Sequence, residues 1–146
     1  MISALKFRWQ LSKLFSEQDR VRKIFTALLT KARKEKAHTE EIEQLNSEAW
    51  MEESMVTDDI DLLVTRFWMR RAKRLFVPTP ERSENDMWRE CSNIPRWVLT
   101  ERGISAVRAA VREEERVGRE VWTFIISGFI GTIGALTGLL AVFLSR

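Results

Sequence analysis

Glycine is missing from the first 102 residues, and no proline occurs before Pro78. So long a run without breakers excludes a turn-rich β fold over that stretch and favours long helices. It also excludes a Gly-rich phosphate loop, because every glycine lies at position 103 or beyond. There is one cysteine, Cys91, so an internal disulfide and a cysteine metal cluster are both excluded. The one histidine, His38, has no acidic or cysteine partner beside it for catalysis and reads as a solvated turn residue. Cys91 reads as a half-buried strand thiol. The acidic pairs Glu52-Glu53 and Asp58-Asp59 read as helix caps or solvated faces. These absences point away from an enzyme, and no cofactor or metal is implied. Net charge is only +3, too small to make nucleic acid the default partner. The start of the chain, MISALKFRWQLSKLF, interrupts its apolar positions with basic residues and lacks the core of a signal peptide.

What the chain does have is the run from Val121 to Leu144, which carries no charge. As a helix it spans roughly 36 Å, against about 30 Å for a bilayer core. We read it as a transmembrane helix acting as a C-terminal anchor. Small residues at Ser127, Gly131, Gly134, Ala135 and Gly138 fall on one face, including a GxxxG step that favours helix packing in lipid. Five arginines (102, 108, 112, 116 and 119) precede the run, and Arg146 alone follows it. Basic flanks stay in the cytoplasm. The expected topology is therefore a single pass through a membrane, with the N-terminal part cytoplasmic.

Ahead of the anchor, apolar residues recur at helical spacing. Leu14, Val21, Ile24, Phe25, Leu28, Leu29 and Ala32 form one stripe. Ile42, Leu45, Ala49 and Val56 form another, renewed by Ile60, Leu63, Val64 and Phe67. A turn at Ala37-His38-Thr39 separates them, with Thr39 expected as the cap. Thr57-Asp58-Asp59 is either a break or part of one long helix ending at Val77-Pro78. Residues 1–40 carry ten basic and four acidic side chains, and residues 41–65 carry eight acidic and no basic ones. That polarity predicts an antiparallel, coiled-coil-like hairpin with basic and acidic segments side by side. Exposed pairs are worth only about 0–1 kcal/mol each, so charge sets register more than stability.

The expected fold is mainly α, in four parts. A helical hairpin occupies 1–77, and a loop with a short β-hairpin occupies 78–100. A charged stalk helix covers 101–120 and continues into the membrane helix at 121–144. Met87–Cys91 and Arg96–Thr100 are the expected strands, with Trp88 and Trp97 packing them against the helices. Ile104, Val107 and Val111 give the stalk an apolar start. Glu115 and Arg119 then form an i,i+4 pair. At the base of the hairpin, Arg66, Arg70, Arg71, Lys73 and Arg74 interleave with Phe67, Trp68 and Phe76. That cluster is a candidate surface for anionic lipid.

Two resemblances follow from local motifs. Leu99-Thr100-Glu101-Arg102-Gly103 resembles the wing of winged-helix regulators. Val77-Pro78-Thr79-Pro80, Trp88, Trp97 to Ile104 and Val107 to Glu114, followed by a charged stalk and a Gly-rich anchor, resemble a set of functionally uncharacterised small bacterial membrane proteins. The second resemblance implies a bacterial inner-membrane setting and no activity. The leading function is a membrane-anchored interaction or scaffold module that self-associates through its anchor, its hairpin or both, beside membrane lipid and a protein partner the sequence does not identify. The alternatives are an oligomerising effector that permeabilises the bilayer and a membrane-tethered winged-helix-like DNA-binding regulator.

Overall fold

A computed structural model describes residues 4–83 and 86–144; from Gly131 onward it describes only the helical backbone. The order is α1 (Ala4–Lys34), α2 (Thr39–Arg74), β1 (Trp88–Glu90), β2 (Trp97–Leu99) and α3 (Glu101–Leu144). α2 runs through Thr57-Asp58-Asp59 as one helix. The mainly helical expectation holds, as does the small antiparallel sheet, which pairs Trp88 with Leu99 and Glu90 with Trp97.

Without glycine, α1 and α2 both end on residues that pay for a left-handed backbone. Among the described residues, Lys36 (φ 52°) and Phe76 (φ 55°) are the non-glycine residues at positive φ. Each sits in a Schellman turn. Ala37 N–H donates to the Ala32 carbonyl at 3.0 Å, and Val77 N–H donates to the Ala72 carbonyl at 3.0 Å. α2 therefore ends at Arg74, before the Val77-Pro78 step expected to stop it. At its start, His38 holds the N-cap position with extended backbone and makes no side-chain capping bond. Thr39 is already helical, which corrects the expected cap.

α1 and α2 pack antiparallel. Phe7 stacks on Phe67 with ring centroids 3.9 Å apart. Gln18 Nε2 donates to Thr57 Oγ1 at 3.1 Å, and Arg22 pairs with Glu53. Among the described residues Arg22–Glu53 is the ion pair that joins these two helices. The segregated charge is thus mostly left facing outward. Burial is thin here: Ala32 is the buried residue of α1, and α2 has none before Asp58.

The core lies lower down, on the face of α2 turned away from α1. Ala72, Val77, Trp88, Leu99, Val107 and Val111 form it, flanked by Trp68, Met69, Met87 and Ile104. The β-hairpin and the first turns of α3 cover that face. Trp88 is buried and donates Nε1–H to the Pro80 carbonyl at 3.2 Å. Trp97 alternates to the other side of its strand and is 43% exposed, so only one of the two tryptophans packs as expected. Arg71 Nε donates to Glu115 at 2.7 Å, and the Arg108 guanidinium sits 5.2 Å from the Trp68 ring. Glu115 therefore pairs with α2, while the Arg119 side chain donates to the Glu115 backbone carbonyl. As α3 advances from 108 to 115 its partners on α2 advance from 68 to 71. It thus leaves the core toward the end of the hairpin where α1 begins and α2 finishes.

Among the described residues no helix is long and apolar enough to cross a membrane. The uncharged run has described side chains only from Val121 to Ile130, all exposed.

Leu99-Thr100-Glu101-Arg102-Gly103 is the strand-to-helix corner. Leu99 N–H donates to Thr65 Oγ1 at 3.0 Å. Thr100 Oγ1 accepts the Gly103 N–H at 3.1 Å and donates to the Asp86 carbonyl at 2.7 Å, so it caps α3. A Cβ on Gly103 would overlap the Met87 carbonyl oxygen, whereas Gly118 faces open space. Gly103→Ala should therefore cost about 1–3 kcal/mol, because backbone must move to admit it. Gly118→Ala should instead gain about 0.5–1 kcal/mol of helix propensity. Thermal unfolding of the two variants in detergent checks the opposite signs; equal shifts would show that the corner is looser than described.

Candidate lipid-facing site

The basic cluster on the last turns of α2 does not present one surface. Arg71 is drawn inward: it pairs with Glu115 and lies 6.0 Å from the Phe67 ring and 5.9 Å from that of Trp68. Its role is to clamp α3 to α2. Arg66 lines a groove between α1 and the β-turn with Trp9, Lys13, Asp59, Leu62 and Arg96. Arg70, Lys73 and Arg74 are exposed at the base.

Phe76, just beyond them, is 94% exposed. An aromatic side chain in water on a left-handed backbone is unfavourable twice over. The Phe7–Phe67 stack places the start of α1 at the same end, and there Leu5 and Trp9 are exposed as well. The base of the hairpin therefore combines Arg70, Lys73 and Arg74 with three exposed apolar side chains. Basic charge attracts anionic headgroups, and aromatic rings favour the interface between headgroup and acyl chain.

Of the small-residue face on the uncharged run, Ser127 is exposed on α3. Gly131, Gly134, Ala135 and Gly138 lie outside the residues whose side chains are described.

Sequence reasoning missed Asp58. Instead of a solvated acid, it is 1% exposed. Its Oδ2 accepts the Asn93 backbone N–H at 2.9 Å and the Asn93 side-chain amide at 3.1 Å, and its Oδ1 accepts the Ser92 N–H at 3.3 Å. Arg89 pairs with Asp61 one turn along. A signal was available in retrospect, since Asp58 and Asp61 fall on the α2 face that carries Thr65, Trp68 and Ala72. Burial pushes the Asp58 carboxyl up, but the Asn93 and Ser92 donors and the charge of Arg89 outweigh it and hold the pKa below the ordinary value. Burial, together with the nearby Asp58 carboxylate, raises the Cys91 thiol. Cys91 is thus a buried free thiol whose surroundings disfavour the thiolate. Among the described residues no group of three metal-ligating side chains occurs.

Because folding depresses the Asp58 pKa, the folded state binds fewer protons there than the unfolded chain. Its stabilising contribution is present above the ordinary aspartate value, about 3.9, and is lost as pH falls through the lower folded value. Asp58→Ala should cost about 1–3 kcal/mol at neutral pH, since it strands the Asn93 N–H. The gap between parent and variant should close on acidification. A pH series of urea unfolding measures it; a gap that persists at the acid end would mean that the carboxylate's charge is irrelevant.

No protein-family model, curated protein or solved structure matches this chain.

Proposed function

We propose that the chain is a membrane-anchored interaction module of the inner membrane. The helical hairpin is cytoplasmic, and the run from Val121 to Leu144 spans the bilayer. The observation that carries this reading is the continuity of α3. One unbroken helix runs from the folded core at Glu101 to Leu144, about 66 Å, and its sequence turns from charged to uncharged at Val121. A core-packed helix with that composition change suits a stalk leading into lipid. The resemblance to small bacterial membrane proteins points the same way. The module works by presenting its hairpin at a fixed height and by gathering copies through the Ser127, Gly131, Gly134, Ala135 and Gly138 face, where small residues let backbones approach. Arg70, Lys73, Arg74 and Phe76 rest on the anionic inner leaflet and hold the hairpin upright.

The anchor is tested by fractionation. The protein should stay with membranes through an alkaline carbonate wash and leave only with detergent, and protease outside right-side-out cells should spare residues 1–120. Release by carbonate would rule out a spanning helix.

The lipid-facing base has its own test. Phe76→Gly should raise stability by about 0.5–1 kcal/mol, because glycine accepts the left-handed backbone. It should also weaken the hydrogen-exchange protection that anionic vesicles confer on residues 70–77 of the inserted protein, as should Arg70→Glu with Arg74→Glu. Equal protection in neutral and anionic vesicles would show that the base does not rest on lipid.

A further inference from the structure

The hairpin has two edges, and they differ. Arg22 and Glu53 close one. The other carries no ion pair between α1 and α2 among the described residues. Its lower part is the groove lined by Lys13, Leu14, Asp59 and Leu62. Gln10 also lines this groove, and its Oε1 is buried without a hydrogen-bond partner. Helix phase continues the same edge upward. On α1, Ile24 lies two turns above Glu17, another groove residue, and Leu28 lies one turn further. On α2, Met55 lies two turns above Leu62. Ile24 is 50% exposed and Met55 43% exposed, and Leu28 is exposed as well. Lys13 and Lys31 flank the α1 side of this edge together with Glu17, and Glu48, Glu52 and Asp59 flank the α2 side together with Arg66, so the α1 side is mainly basic and the α2 side mainly acidic.

We propose that a second copy of this chain docks on that edge and completes a four-helix bundle, with α1 of each copy against α2 of the other. The occupant follows from charge and symmetry. A two-fold axis along the hairpin lays the basic α1 side over the partner's acidic α2 side twice, a self-complementary isologous interface. It keeps all neighbouring helices antiparallel, the arrangement of up-down bundles. Ile24, Leu28 and Met55 are buried, and a hairpin with one buried residue in α1 gains a core. The same axis puts both bases and both α3 helices at one end, as two copies in one bilayer require. This inference rests on the membrane-anchored reading for that orientation and adds an assembly surface independent of the anchor.

Paired cysteines on the full chain in detergent and in membranes test it. The native Cys91 thiol is buried, so Ile24→Cys and Met55→Cys add the accessible thiols. The Phe7–Phe67, Gln18–Thr57 and Arg22–Glu53 pairs set the register. It brings Ile24 within about one helical turn of the level of the partner's Met55. Mixing an Ile24→Cys chain with a differently tagged Met55→Cys chain and adding a short thiol cross-linker should give a heterodimer. Arg22→Cys, on the closed edge, mixed with Met55→Cys should give at least tenfold less. All substituted positions are exposed, and circular dichroism confirms that each chain keeps its helices. The cross-link should persist when Gly134→Leu and Gly138→Leu are added to both chains. Its loss there would mean that the hairpin has no affinity of its own, which overturns this inference while leaving the anchor reading intact. Absence of the Ile24–Met55 product, or equal yield from Arg22→Cys, also overturns it. The carbonate wash judges the anchor separately.

Discussion

A carboxylate taken out of water must have its oxygens filled, and Asp58 fills them with the Ser92 N–H, the Asn93 N–H and the Asn93 amide. That bond set ties the β-turn to the middle of α2. The strands joined by the turn then have one place to lie, and the Leu99 N–H on Thr65 fixes their height. From Leu99 the chain turns at once through Thr100 into α3. The direction of α3 is therefore set by a network centred on Asp58, within the acidic stretch of α2. An isolated two-stranded hairpin is marginal in water. This one persists because its hydrogen bonds run to a helix as well as between its strands.

The same arrangement divides the molecule into a firm lower half and a sparse upper half. Below Asp58, α2 is covered on both faces, by α1 and by the β-hairpin with α3. Above Ser54, which still accepts the Asn93 amide, α2 packs against α1, and two helices alone bury little of either. The exposed Ile24, Leu28 and Met55 and the outward-facing charges follow from that geometry.

Arg71 and Phe76 show opposite uses of neighbouring positions. Arg71, one of five basic residues within nine positions, is taken inward by Glu115, because the guanidinium needs a partner as its stem packs against Phe67 and Trp68. Phe76 is turned outward by the Schellman ending of α2, whose hydrogen bonds bury Val77 instead. Composition alone makes the arginine look like surface and the phenylalanine like core.

The residues by themselves determined the helices. The absence of glycine and proline before Pro78 and the 3.6-residue stripes call for long helices that turn back near His38, and leave Thr57-Asp58-Asp59 as either a break or the middle of one helix. The uncharged run after Glu120 fixes a further apolar helix. These are local or periodic properties, and periodicity survives without knowledge of the fold. The tertiary structure decided what depends on residues far apart in the chain. It made Asp58 a buried acceptor, because Asn93 lies 35 positions away. It made Thr100, rather than Thr39, a capping hydroxyl, because Asp86 and Met87 close the corner around it. It drew Arg71 out of the basic cluster, because Glu115 reaches it from α3. Burial and pairing of a charged group are set by what folds over it, and no spacing within one segment encodes that.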